Sequence, residues 1–286
     1  MNIEVILVNS FTTSGKGGNP AGVVFNADEL TSVQKLKIAQ IIGYSETAFV
    51  AHDVDADFAV SFFTTTNEVD FCGHATLATF SAMHHLGVLD AGSYVQRTKA
   101  GLLPVVIYAD GTVIMEQKLP KKLGSFCYQE VAGIIGLDSQ VLKSTGLPIE
   151  AVSTGLVDLM VAVPSGYLDI IEPNDDAIAA FCQQHKLVGL HVFELCDESS
   201  EYTASCRNFA PLVGISEESA TGSACGALAS FLTEHTELGH EYVFEQGRAM
   251  NCPSSITASV AVIDENITSI KVGGLANIIR KVNITI

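Results

Sequence analysis

The first third of the chain alternates short apolar runs with polar breaks. Strands are expected at its start, at A-G-V-V-F, at T-A-F-V-A and at F-A-V-S-F-F, with a glycine-rich loop, S-G-K-G-G-N-P (14–20), after the first. From about Ser32 to Ile42, lysine, glutamine and serine interleave with Leu36, Ile38, Ile41 and Ile42, the pattern of a helix packed on one face. The next helical segment is of another kind. His74 to Leu86 holds Ala, Thr, Leu, Phe, Ser, Met and His but no charged residue, and Gly87 is a natural terminator. A helix with no charged face belongs inside. Much later, T-G-S-A-C-G-A-L-A-S-F-L (221–232) is again charge-free and opens on a glycine, so two buried helices are predicted.

Aligning A-T-L-A-T-F (75–80) with G-A-L-A-S-F (226–231) brings F-F-T-T (62–65) near N-F-A-P (208–211) upstream, with unequal loops between. That echo reads as a duplicated half. Short apolar runs broken by Gly, Asn and Asp surround each helix, as in curled antiparallel sheet. The fold class predicted is α+β: two pseudo-symmetric lobes, each a β-barrel-like sheet wrapped around one central buried helix. An N-terminal lobe over 1–120 and a C-terminal lobe over 121–286 follow, with the boundary near Q-K-L-P-K-K-L-G-S and the last strand able to return to the first lobe.

Composition narrows the functions. A length of 286 residues and a 48% hydrophobic content support a substantial core. With 15 Lys and Arg against 32 Asp and Glu, the net charge of -17 repels nucleic acid and anionic membrane surfaces, so neither is an expected partner. No apolar run approaches the roughly 18 residues of a membrane span, and the first residues carry no basic leader region, so a cytoplasmic location is expected. Seven scattered cysteines without a C-x-x-C pair are expected as reduced thiols, and they share no usual zinc spacing with the histidines.

Each buried helix leaves its first N–H groups without intrahelical partners at the positive end of its dipole, which makes an anion site. Gly73 and Gly222 let the backbone approach a ligand there. With four arginines in the chain, backbone donors carry much of that work. The stretches G-G-N-P-A-G-V-V (17–24), Y-S-E-T-A-F-V (44–50), F-C-G-H-A-T-L-A (71–78), R-N-F-A-P (207–211) with A-T-G-S-A (220–224), and E-Q-G-R-A-M (245–250) together resemble the phenazine-biosynthesis PhzF-like family, in that family's order and over most of the chain. The resemblance implies the fold of diaminopimelate epimerase and proline racemase. It also implies isomerase chemistry on a small anionic metabolite without metal, flavin or pyridoxal phosphate, and a homodimer. Residue by residue, it implies that Glu46 moves a proton, that His74 binds and polarises the substrate, and that Glu218 is a catalytic-site carboxylate. Asn19, Gly73, Gly222, Ser223 and Arg207 are the implied substrate contacts.

Three departures bear on the substrate. The usual E-D-P-A-T-G-S-A reads E-E-S-A-T-G-S-A (217–224), so a carboxylate one methylene longer stands at Glu218. An arginine is absent at Ser61 and another at Cys252, which makes Arg207 the expected remaining carboxylate ligand. Racemases of this fold use two cysteines because inversion needs an acid and a base on opposite faces. Here Cys72 occupies the first position and Thr221 the second, with Cys225 one turn further on. A racemase using Cys72 with Thr221 or Cys225 is therefore one alternative, and a non-catalytic metabolite-binding protein is another. Cys72 itself reads as a small buried residue at the turn.

Overall fold

A computed structural model describes all residues 1–286. The chain divides into two compact units, one of Met1–Glu116 with Gly273–Ile286 and the other of Gln117–Val272. The division falls at 116/117 rather than near 120. The second unit ends at Val272, because the strand Ala276–Thr285 pairs antiparallel with Asn2–Ser10 in the first unit. Six α-helices are present: α1 Ser32–Ile42, α2 Gly73–His85, α3 Tyr128–Ala132, α4 Ser139–Lys143, α5 Asp175–His185 and α6 Gly222–His235.

The two units repeat one strand path. In unit 1, Asn2–Ser10 pairs antiparallel with Asn19–Val24, which pairs parallel with Glu46–Ala51, then antiparallel with Phe58–Phe63, parallel with Gly92–Thr98 and antiparallel with Gly101–Ile107. In unit 2 the same alternation runs through Ile149–Ser153, Val157–Ala162, Gly189–Leu195, Ala204–Ala210, Glu241–Gln246 and Ser254–Ile263. Each parallel step is a helical crossover, since parallel neighbours cannot be joined by a tight turn. The helices α1 and α5 serve the first crossover of each unit, and α2 and α6 the second. This is the duplication that the helix motifs imply.

The inner helices are enclosed by their own strands. Within unit 1, α2 packs against Asn2–Ser10, Asn19–Val24, Glu46–Ala51 and Ala276–Thr285, and every residue from His74 to Met83 is buried. Burying side chains such as Leu77 and Phe80 contributes about 1.5–3 kcal/mol each. Their polar neighbours are satisfied locally, Thr76 and Thr79 donating to the carbonyls of Cys72 and Ala75 at 2.8 and 2.7 Å. In α6, Thr233 does the same to Ala229 at 2.9 Å. At Gly226 a Cβ would collide with the side-chain oxygen of Gln117, which packs closely against the helix at this glycine.

The outer helices cover the other sheet faces. Ile38 and Ala39 of α1 join Val5, Leu7, Val24, Phe49 and Phe63, while Ile178 and Cys182 of α5 join Leu159, Val161, Leu190 and Val192. Alternation along Asn2–Ser10 therefore sends Val5 and Leu7 to α1, with Ile6 and Val8 on the opposite face. Asn19 and Pro20, expected at the end of a loop, already belong to the second strand and pair with Ser10 and Asn9. Gly18 makes that early pairing feasible, with φ +89° and no room for a Cβ against the Ser10 carbonyl.

Candidate active site

Unit 1 brings the S-E-T-A-F and C-G-H-A-T motifs together. Glu46 opens the strand Glu46–Ala51, and His74 is the second residue of α2. The His74 Nε2 atom lies 3.3 Å from Glu46 Oε2 and 3.4 Å from Ser45 Oγ. On its other side, Nδ1 lies 3.4 Å from Cys72 Sγ. His74 is 7% exposed and Glu46 16%, so a buried imidazole meets a carboxylate that still touches solvent. The Glu46 Oε2 atom is itself buried and receives no hydrogen bond, its approach to His74 being outside hydrogen-bond geometry. A buried acceptor in that condition is open to a hydrogen bond from another donor.

The backbone fixes this group. Ser10 Oγ donates to the His74 carbonyl at 2.6 Å, and Ser10 pairs in register with Asn19, which ties the start of α2 to the first two strands. Asn19 is 5% exposed and sits in that ladder. At the helix opening Cys72 is the N-cap but makes no capping hydrogen bond, and a Cβ on Gly73 would meet nothing within 4 Å. There is thus free space beside the first residue of α2, at the positive end of the helix dipole. Cys72 is half-buried rather than buried, and its thiol faces the His74 ring.

Unit 2 assembles its own polar cluster. Thr221 Oγ1 donates to Glu218 Oε2 at 2.6 Å, and Gln246 clamps the same turn, donating to the Glu218 carbonyl at 2.7 Å while accepting from Thr221 N–H at 3.1 Å. Thr221 is the N-cap of α6 and, like Cys72, provides no side-chain cap. The carbonyls of Gly222 and Ser223 are held by Gln117 Nε2 at 2.9 Å and Thr154 Oγ1 at 3.0 Å. Behind them lies a buried group that sequence reasoning missed. Asn208 Nδ2 meets His191 Nδ1 at 3.2 Å, and the Cys225 thiol faces His191 and Gln246 at 3.9 and 4.0 Å. Burial holds His191 down to about 3 and pushes the Cys225 thiol far up. Burial, then repulsion from Glu218, lifts Asp158 to about 7 against a hydrogen bond from Asn208.

Arg207, the expected carboxylate ligand, is engaged within the protein. Its guanidinium grips Glu217 with two bonds of 2.9 and 2.8 Å, donates to the carbonyls of Leu168 and Ile171, and lies over the Phe209 ring. A bidentate pair of this kind satisfies the fork of the side chain. Arg97 and Arg248 are likewise held, by Asp53 and Asp55 and by Asp169 and Glu194.

Comparison with known proteins bears on the family of the chain. The profile of the family described as phenazine biosynthesis-like protein matches residues 8–281. An uncharacterized isomerase of Clostridium acetobutylicum is 34% identical over 96% of this chain and 95% of its own. The trans-2,3-dihydro-3-hydroxyanthranilate isomerase of Pseudomonas chlororaphis is 28% identical, with 94% of each chain covered. The crystal structure of the Bacillus anthracis phenazine biosynthesis protein of the PhzF family superposes over the full length of both chains, with a TM-score of 0.90 at 29% identity.

Proposed function

The chain belongs to the phenazine biosynthesis-like protein family and is an isomerase, and from that premise we propose that it shifts a proton, and with it a double bond, in a small carboxylate metabolite, with Glu46 as the general acid and base. The observation that carries this reading is the unsatisfied, buried Oε2 of Glu46 beside the His74 imidazole. A 1,3-shift needs one such group: the carboxylate takes the proton from one carbon and returns it to another on the same face of the conjugated system. His74, beside the carboxylate, orients the substrate, and the first turn at Gly73 receives the substrate carboxylate through backbone N–H groups. No redox step and no net proton uptake are required.

Inversion by two cysteines fits the chain less well. The Thr221 hydroxyl, at the second cysteine's position, is committed to Glu218 at 2.6 Å. Cys225 is fully buried with its thiol pushed up by desolvation, far from a usable base. The test is proton NMR of small carboxylates, amino acids and dihydroaromatic acids among them, incubated in deuterated water with wild type, Glu46→Gln and Cys72→Ala. Exchange at carbon is expected with wild type and a loss of about 10²–10⁴-fold with Glu46→Gln. Exchange that survives Glu46→Gln and dies with Cys72→Ala would place the chemistry on the thiol and overturn the reading.

A further inference from the structure

We infer that Glu46, Cys72 and His74 form a reversible inhibitory site for a thiophilic divalent cation, with Zn²⁺ the best match. One carboxylate oxygen, one thiol sulfur and one ring nitrogen from these residues lie within 4.8 Å of one another. His74 Nε2 stands 3.3 Å from Glu46 Oε2 and 4.0 Å from Cys72 Sγ. Neighbouring ligands on a tetrahedral zinc ion, with bonds of about 2.0–2.3 Å, adopt spacings of this order. The Cys72 thiol, now 3.4 Å from Nδ1 and 4.0 Å from Nε2, must rotate toward Glu46 to complete the set.

The chemistry of the donors points the same way. Sulfur, imidazole and carboxylate together select a borderline-soft ion over Mg²⁺ or Ca²⁺, which take oxygen ligands. The Glu46 Oε2 atom is a buried oxygen without a hydrogen-bond donor, and a cation would satisfy it. Glu46 and Cys72 are only partly buried, so the ion has an entry path, and three protein ligands leave a fourth position to water. Sequence spacing conceals the trio because Glu46 comes from a strand and the other two from the start of α2. Binding forms a metal–sulfur bond and releases the thiol proton, with no change of oxidation state, so affinity rises with pH. Occupancy ties up the carboxylate and the imidazole together; the inhibitory consequence rests on the isomerase reading, the binding itself does not.

The experiment is a titration of the chelator-stripped, full-length protein with Co²⁺, read by absorption. One equivalent is expected to produce the near-ultraviolet sulfur-to-cobalt charge-transfer band, which Zn²⁺ then removes by displacement. Cys72→Ser abolishes the band, and Glu46→Gln weakens Co²⁺ binding by at least about tenfold, since even outer-shell changes cost that much. A band that persists in Cys72→Ser belongs to another of the seven cysteines and overturns the site, as does its absence from wild type. Because the band requires no turnover, it separates failure of this site from failure of the isomerase assignment. Proton exchange that continues at the metal-free rate with Zn²⁺ bound would refute the inhibitory role.

Discussion

Asp158→Asn isolates a single buried titration. Asp158 sits on the strand Val157–Ala162 with 2% of its surface exposed. Burial and the nearby Glu218 raise its carboxyl from 3.8 to about 7. The folded state therefore binds a proton that the unfolded state has released, and stability falls as pH rises from about 4 through about 7. The difference between 3.8 and about 7 corresponds to about 4 kcal/mol across that window. His191 acts in the opposite sense. Held down to about 3 by burial, it stays neutral in the fold while the unfolded chain takes up a proton below about 6.5, so stability is lost as pH falls through that range. The two slopes nearly cancel in wild type between about pH 4 and 6.5, and a wild-type profile alone would hide both.

The substitution removes one of them. Asparagine matches the neutral carboxyl in size and cannot ionise, so the variant should match wild type near pH 4 and exceed it by about 4 kcal/mol near pH 8, with the difference growing by about 1.4 kcal/mol per pH unit. Urea unfolding of both proteins at one-unit intervals from pH 4 to 8, at constant ionic strength, supplies the difference, and all other titrations drop out of it. A difference that stays flat across the range would mean that Asp158 ionises as it does in water, and the desolvation reasoning would be refuted.

Two further outcomes follow from the packing of unit 2. Glu217→Ala strands the buried Arg207 guanidinium, at a cost of about 3–5 kcal/mol in urea unfolding; a loss under about 1 kcal/mol would show that Arg207 does not depend on this pair. Gly226→Ala forces Gln117 off its bonds to the Gly222 carbonyl and the Thr154 hydroxyl, lowering stability by about 1–3 kcal/mol, and an unchanged unfolding midpoint would show that the helix can shift to make room.

The inner helices were readable because burial forbids charge: the thirteen residues of α2 and the first twelve of α6, up to Thr233, could not lack Asp, Glu, Lys and Arg on a solvated face. The pairing of Glu46 with His74 came through the motifs. The fate of Arg207 did not, since a motif fixes a residue's identity and not which partner its neighbours supply. A signal was nonetheless present. The segment R-N-F-A-P-L-V-G-I-S-E-E closes on itself around Pro211–Gly214, with Asn208 opposite Glu218 and Ala210 opposite Ile215, so that Arg207 and Glu217 share one end of a hairpin. Opposite charges across a hairpin find each other before any ligand arrives. The surroundings of Cys72 were hidden for a different reason. Its place before the helix suits a small buried cap, and the side-chain torsion, which the sequence does not fix, decides whether an N-cap side chain turns to its own helix or away. At φ -143° and ψ 117° Cys72 makes no capping hydrogen bond, and its sulfur reaches the imidazole two residues on. That one turn of a side chain converts a filler position into the third member of a carboxylate, thiol and imidazole cluster.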